Sequence, residues 1–256
     1  MSDIKVGVVG AGGKMGRATC AAVALDHDLV LVAAVAPRNV GETLHGVPIT
    51  ADLRSLADAG CEVVVDFTNA ESARVTVPWL AMHGVHAVVG TTGFTEADIE
   101  SFRSEFSGSN CAIVSNFAIS AVLMMRFAEL AAPYFESAEI IELHHEGKID
   151  APSGTAMSTA KRMAAASSDW IADQTQHEAY PGSRGGEGPA GIRVHSVRMR
   201  GLVAHQEVIL GAHGQTLTIR QDSYDVVSYM PGVVLACKHI AEHPGVTVGL
   251  EAMLGM

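Results

Sequence analysis

The residues best suited to chemistry lie in one stretch, Glu142-Leu143-His144-His145-Glu146-Gly147-Lys148-Ile149-Asp150-Ala151-Pro152-Ser153-Gly154-Thr155-Ala156. Two histidines close a strand-like run, and a lysine follows within reach. Imidazole titrates near neutrality and a desolvated ammonium gives up its proton, so His144 and Lys148 both suit general-acid work. Pro152-Ser153-Gly154-Thr155 then opens a helix, with proline where a missing N–H costs nothing. Free amides at Ser153, Gly154 and Thr155, the helix dipole and Lys148 together describe a site for a carboxylate or phosphate. The competing readings are a structural histidine pair and a pair of zinc ligands. Adjacent residues on a strand point to opposite faces, which disfavours a shared metal, and none is expected.

A second constellation is Gly7-Val8-Val9-Gly10-Ala11-Gly12-Gly13-Lys14-Met15-Gly16, between an apolar run and a helical pattern. Its spacing is GxxGxxG over Gly10, Gly13 and Gly16. Glycines there let the chain turn tightly and let a pyrophosphate approach helix N-terminal amides. The alternative is a tight turn with no ligand. After the next strand, where NAD-selective sites carry an acid for the ribose, the sequence reads Ala34-Val35-Ala36-Pro37-Arg38-Asn39. No acid is present; Arg38 is instead suited to a 2′-phosphate, and Lys14 adds a second cation. NADPH and NADH both remain open as cofactors.

These groups need a frame. Ile4–Val9, Leu29–Val35, Val63–Asp66, His86–Val89 and 112–114 are short, Val-rich apolar runs, as parallel strands buried on both faces require. Arg17–Leu25, Ala70–Met82 and 96–106 read as crossover helices, the last with a capping box at Thr95-x-x-Asp98. Beyond residue 118 the pattern changes: helices over 118–135 and 155–168, a strand at 140–144, a glycine-rich loop over 177–191, then strands at 192–200, 206–210 and 216–221. We therefore expect an α/β chain: a Rossmann-type doubly wound domain over 1–117, with 229–256 returning to it, and a mixed α+β domain over 118–228. The loop around Ser183-Arg184-Gly185 is a candidate to close over substrate. Met15, Met124, Met125, Met157 and Met163 read as core filler.

The chain has 256 residues, 48% hydrophobic and 18% charged, with a net charge of −11. That charge argues against nucleic acid and anionic membranes. Mean hydropathy is +0.24, yet no apolar run reaches the ~18–20 residues of a membrane span. Cys20, Cys61, Cys111 and Cys237 are dispersed, as structural thiols are, and the N-terminus lacks a secretory pattern; the cytoplasm is the expected location.

The Glu142–Ala156 block resembles the signature of the 4-hydroxy-tetrahydrodipicolinate (dihydrodipicolinate) reductase family of lysine and diaminopimelate biosynthesis. Gly10–Gly16, Asp66-Phe67-Thr68, Gly90-Thr91-Thr92-Gly93 and Ser115-Asn116-Phe117 fall in that family's order and spacing, so the resemblance spans essentially the whole chain. It implies NAD(P)H-dependent reduction of a cyclic imine dicarboxylate, and a homotetramer assembled through the second sheet. It assigns Gly10, Ala11, Gly12, Gly13, Lys14 and Met15 to the pyrophosphate. Gly90, Thr91, Thr92, Val114, Ser115, Asn116 and Phe117 go to the nicotinamide end. His144 and Lys148 become the proton carriers, and His145, Gly154 and Thr155 the substrate contacts. The chain departs from the family's habit at Ser115, often Pro or Ala there, at Val226, where many members have Arg, and in the missing ribose acid. Two other readings compete: another Rossmann-type NAD(P)-dependent reductase of a small dicarboxylate or amino acid, and a non-catalytic NADP(H)-binding regulator.

Overall fold

The structure, a computed structural model, describes residues 3–256. In chain order its elements are β1 (Ile4–Val9), α1 (Lys14–Leu25), β2 (Leu29–Val35), β3 (Thr43–Leu44), β4 (Val47–Thr50), α2 (Arg54–Asp58), β5 (Val63–Asp66), α3 (Ala70–Met82), β6 (His86–Val89), α4 (Glu96–Glu105) and β7 (Cys111–Ile113). There follow α5 (Ile119–Ala131), β8 (Ser137–His144), α6 (Gly154–Ala166), β9 (Gly186–Glu187), β10 (Arg193–Arg198), β11 (Ala204–Ala212), β12 (Gln215–Ser223), α7 (Met230–His239) and β13 (Val246–Val248). The chain divides into two units: one runs to Ile119 and takes in Val226–Met256, the other is Ser120–Asp225.

The first unit holds an eight-stranded sheet in the order β13-β7-β6-β5-β1-β2-β4-β3. All neighbours are parallel except the β3–β4 hairpin. Val6, Val8 and all of β5 are buried, as central strands covered on both faces must be. The chain leaves β1 towards β2 on one side and reaches β5 on the other. That reversal opens a crevice at the carboxyl ends of β1 and β5, the usual ligand position in such sheets. The Thr95–Asp98 capping box forms as the sequence predicts. The returning C-terminal segment is fastened by Asn110, whose Nδ2 donates to the carbonyls of Ile240 and Ala241 and whose Oδ1 accepts from Gly245. Gly232 on α7 sits so close to the Phe117 carbonyl that a Cβ would overlap it.

The second unit is a mixed five-stranded sheet, β12-β11-β8-β10-β9, with β8 and β10 parallel and the remaining pairs antiparallel. Helix α6 buries Ala156, Thr159, Ala160 and Met163, and Gln206 on β11 donates to Thr159 Oγ1 at 2.8 Å. Ile140 and Glu142 of β8 are fully buried, whereas Ile141 and Leu143, pointing the other way, are half-buried.

Three sequence expectations are corrected here. The second helix of this unit begins at Gly154 with Ser153 as its cap, so Pro152 precedes the helix rather than opening it. Met124, Met125 and Met163 are core residues, but Met157 is 45% exposed. The loop around Arg184 is tied to Glu139 (2.6 Å) and Asp173 (3.3 Å). Glu139 is three residues from Glu142 on β8, hence on the face opposite His144, so Arg184 itself is anchored away from His144.

Candidate active site

In the second unit the site is built on the last residues of β8. Glu142 and His144 are two apart and share a face. Glu142 is fully buried, and its Oε2 lies 2.5 Å from His144 Nδ1. Arg198, in register with His144 on β10, grips the same carboxylate with both terminal nitrogens, Nη1 to Oε2 at 2.9 Å and Nη2 to Oε1 at 2.8 Å. Burial alone would raise the Glu142 pKa. Hydrogen bonds from Arg198, Ser196 and His144 outweigh it and hold the group below the usual glutamate value. Glu142 is therefore an acceptor at neutral pH, and His144 Nδ1 donates to it. The His144 pKa is lowered, first by burial, then by the nearby charges of Lys148 and Arg198, against the pull of Glu142. The resting imidazole is neutral, with Nε2 left as the reactive nitrogen.

Lys148 does not sit in an apolar pocket. Its Nζ donates to both oxygens of Asp150, at 2.7 and 2.9 Å, and its side chain is about one-fifth exposed. Arg198 Nη2 also donates to the Asp150 carbonyl at 2.7 Å, so one guanidinium braces the strand end and the loop carrying Lys148. The N-terminus of α6 differs from expectation in one respect. The Ser153 amide is committed to Glu142 Oε1 (3.2 Å), while the Ser153 side chain caps Ala156 N. Gly154 is exposed, and a Cβ there would meet nothing within 4 Å, so an anion has open access to the first turn. Thr155 is half-buried beside it, and His145 is exposed past the strand end.

Sequence reasoning passed over Glu142 and Arg198. Glu142 carried a signal, its two-residue offset from His144 on a strand. Arg198 carried none, because only the parallel pairing of β8 with β10 brings it there.

In the first unit the glycine loop joins β1 to α1. Gly10 has φ +83°, and a Cβ on it would run into the Phe67 carbonyl; a Cβ on Gly16 would run into the Gly10 carbonyl. These two glycines serve the turn and the helix–strand contact. Gly12 and Gly13 are different, since their nearest neighbours would stand 3.2 and 3.3 Å from a Cβ and neither φ is positive. The amides of Gly10 and Ala11 donate to Val35 O, and that of Gly13 to Gly10 O. The first-turn amides of Lys14 and Met15 have no intrahelical acceptor by position, and Lys14 is exposed. Arg38 is exposed just past β2.

At the other strand ends, Gly90 donates to the Asp66 carbonyl, and its missing Cβ makes room for the Phe67 ring. Thr91 is buried and Thr92 exposed. Val114 is buried, Ser115 exposed, and Asn116 Oδ1 accepts from Ala118 N at 2.9 Å. Phe117 packs edge-on against Phe67, centroids 5.6 Å apart. The fourteen residues expected to meet a dinucleotide thus all lie in this unit, in the turns after β1, β2, β6 and β7. Among the described residues, one cluster has metal-ligand spacing, Asp26, His27 and Asp28. Lys238 already lies against both carboxylates, at 2.8 and 2.6 Å. No helix among the described residues is long and apolar enough to cross a membrane.

A parallel sheet with an open helix N-terminus at its reversal point, joined in one chain to a mixed α+β unit, is the architecture of a Rossmann-type oxidoreductase with a second unit. Comparison with known proteins makes this specific. Residues 4–117 match the family described as "Dihydrodipicolinate reductase, N-terminus" and residues 120–254 its "C-terminus". The chain belongs to the dihydrodipicolinate reductase family. It is 47% identical over 259 residues to the 4-hydroxy-tetrahydrodipicolinate reductase of Corynebacterium urealyticum, covering 99% of each chain. It is 48% identical over 260 residues to that of Nocardia farcinica, again covering 99% of each. A solved dihydrodipicolinate reductase from Paenisporosarcina sp., with dipicolinate bound, superposes with a TM-score of 0.89 at 36% identity over 98% of this chain and 99% of that one. A gentamicin-biosynthesis enzyme in complex with NAD shares the fold at 14% identity, TM-score 0.65, over 99% of this chain and 91% of its own.

Proposed function

We propose that this chain reduces 4-hydroxy-tetrahydrodipicolinate to tetrahydrodipicolinate with NADPH or NADH, in diaminopimelate and lysine biosynthesis, with His144 and Lys148 handling the proton. The observation that carries the role assignment is the buried Glu142 carboxylate, fixed by Arg198, on His144 Nδ1.

The loop suits a dinucleotide. Gly12 and Gly13, unlike Gly10 and Gly16, would meet a neighbour only at 3.2 and 3.3 Å if they carried a Cβ, a tight but not overlapping contact, and they lead into open helix amides. A pyrophosphate needs that close backbone approach. Gly10 to Met15 would hold it, Arg38 would meet a 2′-phosphate, and Gly90, Thr91, Thr92, Val114, Ser115, Asn116 and Phe117 would line the nicotinamide end. The substrate first loses its 4-hydroxyl as water to give the unsaturated cyclic imine, and a reduced nicotinamide, when bound, would supply hydride to a ring carbon of that imine. The rest falls to side chains. Gly154, Thr155 and His145 receive the substrate carboxylates at the α6 N-terminus. His144, neutral at rest, takes up a proton from solvent at Nε2, gives it to the enamine carbon left by hydride addition, and so returns to the neutral form that its burial favours, while Glu142 keeps Nδ1–H fixed throughout. Lys148, within electrostatic reach of His144, holds the anion and stands as the alternative donor. The half-buried face of Ile141, Leu143, Val197 and Ile209 supports a homotetramer formed through this sheet. A net charge of −11 supports small-molecule rather than nucleic-acid or membrane partners, in the cytoplasm.

The test is oxidation of NADPH and NADH on adding freshly made product of the preceding synthase, with solution mass measured on the same preparation. Rapid absorbance loss and a tetrameric mass are expected. No oxidation at micromolar enzyme sinks the activity, and a monomeric mass sinks the assembly.

A further inference from the structure

A strand buried on both faces is ordinarily apolar to its end, as Val63, Val64 and Val65 are, yet β5 finishes on Asp66 with no exposed surface. Such a carboxyl is costly unless something holds it. Its Oδ1 accepts three hydrogen bonds: from Thr68 N at 2.9 Å, Thr68 Oγ1 at 2.6 Å and Thr91 Oγ1 at 3.0 Å. Its Oδ2 is buried without a hydrogen-bond partner. The backbone around it is equally occupied. The Asp66 carbonyl accepts from Gly90 N, and Phe67 N donates to Val9 O. Asp66 therefore stands where the turns after β1, β5 and β6 meet.

We propose that Asp66 is a positioning residue of the dinucleotide site, whose Oδ1 clamps the hydroxyls of Thr68 and Thr91 and so fixes the turns after β5 and β6. Asp66 takes the shorter hydrogen bond of Thr68 Oγ1, 2.6 Å against 3.3 Å to the Asn69 carbonyl, and that of Thr91 Oγ1, so each hydroxyl is left chiefly as an acceptor. Thr91 Oγ1 uses that capacity on Thr68 N, 3.2 Å away. Thr68, which is only half-buried, meets a ligand as an acceptor, suited to an amide or ribose hydroxyl donor. A carboxyl does this where neighbouring side chains would fail. Valine offers no acceptor, and serine or threonine does not reach both turns. The inference rests on the reading that Gly90–Thr92 border the nicotinamide.

The experiment measures dissociation constants of NADPH and NADH by fluorescence, alongside melting temperature and steady-state kinetics. Asp66→Ala is expected to weaken both cofactors about tenfold, as loss of a buried acceptor does, with kcat at saturating cofactor within about threefold of wild type. Asp66→Asn keeps an acceptor oxygen and is expected to restore most of the affinity. Thr91→Val is expected to weaken binding as well, and its effect is expected to be less than additive with that of Asp66→Ala. Should Asp66→Ala not fold, the cycle of Asp66→Asn with Thr91→Val and Thr68→Val carries the test. There the two valine variants lose affinity while Asn alone does not. A folded Asp66→Ala with wild-type affinity overturns the proposal, as does Asp66→Asn binding as weakly as Ala, or threonine variants without effect. Failure of the wild type to bind either cofactor would overturn the dinucleotide reading along with it.

Discussion

The N-termini of α1 and α6 are finished in opposite ways. Helix α1 begins behind Gly13, with no side-chain cap and no acid in its first turn. Helix α6 begins behind Ser153, whose hydroxyl caps Ala156 and whose amide rests on buried Glu142. An uncapped helix end leaves orphan amides, a deficit that a ligand rich in acceptor oxygens removes. Helix α1 is instead held by its flank, through buried Gly16, Thr19, Cys20 and Val23. The α6 end has a different task. It is braced by charge, through Glu142, Arg198 and His144, and the proposed proton transfer would need donor and base held at such hydrogen-bond geometry. One end is made of backbone and left open; the other is made of side chains and is already organised.

If that division is right, substitutions at the braced end strike turnover and those at the open end strike affinity. The largest effect is expected at His144 and Lys148. His144→Ala and Lys148→Ala should each lower kcat about a hundredfold or more, with NADPH affinity unchanged. Unchanged turnover in both variants removes the role assignments. Equal losses in kcat and cofactor affinity would instead dissolve the contrast between the two ends.

Next comes the brace itself. Glu142→Gln keeps size but strands the Arg198 guanidinium, and breaking a buried pair in this way costs about 3 kcal/mol. Urea unfolding at neutral pH should show that loss, accompanied by a turnover defect whose pH profile is displaced from wild type. The pH dependence has a definite sign. Glu142 and His144 both have folded pKa values below their ordinary 4.5 and 6.5. A downward shift stabilises the fold above the unfolded value and is lost as pH falls through the folded one. The wild type should therefore weaken first below about pH 6.5, as unfolded His144 takes up a proton, and again below about 4.5. In Glu142→Gln the second step should shrink. A variant as stable as wild type with an unaltered acid profile would mean that Glu142 does not brace the site.

The same contrast explains what was legible in the sequence. The open end is written in local spacing: Gly10, Gly13 and Gly16 lie within one turn, and strand, loop and helix follow one another. His144, Lys148 and the capping residue Ser153 are likewise close in sequence. Arg198 is different, because it arrives fifty-four residues after His144 through the β8–β10 register. A single sequence does not encode such a pairing in any short-range pattern. Asp66 belongs to the same class, since its partner Thr91 is twenty-five residues away. The β3–β4 hairpin and β13 also escaped notice, being strands of two to four residues whose pairing is set by the sheet edges they join. Local geometry was readable, whereas bracing across strands was not.

The smallest effect tests the open end at its rim. Arg17 is already spent on Glu42, at 2.6 Å, but Arg38, exposed past β2, has no ion-pair partner among the described residues. A guanidinium there can take a 2′-phosphate through charge-assisted hydrogen bonds, and NADH offers it nothing comparable. Because the residue is exposed, solvent and salt screen the contact. Arg38→Ala should therefore weaken NADPH by about tenfold at low salt and by less at high salt, while NADH changes by less than about twofold. Titrating both cofactors at two ionic strengths measures this directly. Equal effects on the two would refute the 2′-phosphate contact and leave the open end recognising a dinucleotide through backbone alone. A salt-independent NADPH loss would instead mean that Arg38 shapes the turn after β2 rather than pairing with the phosphate.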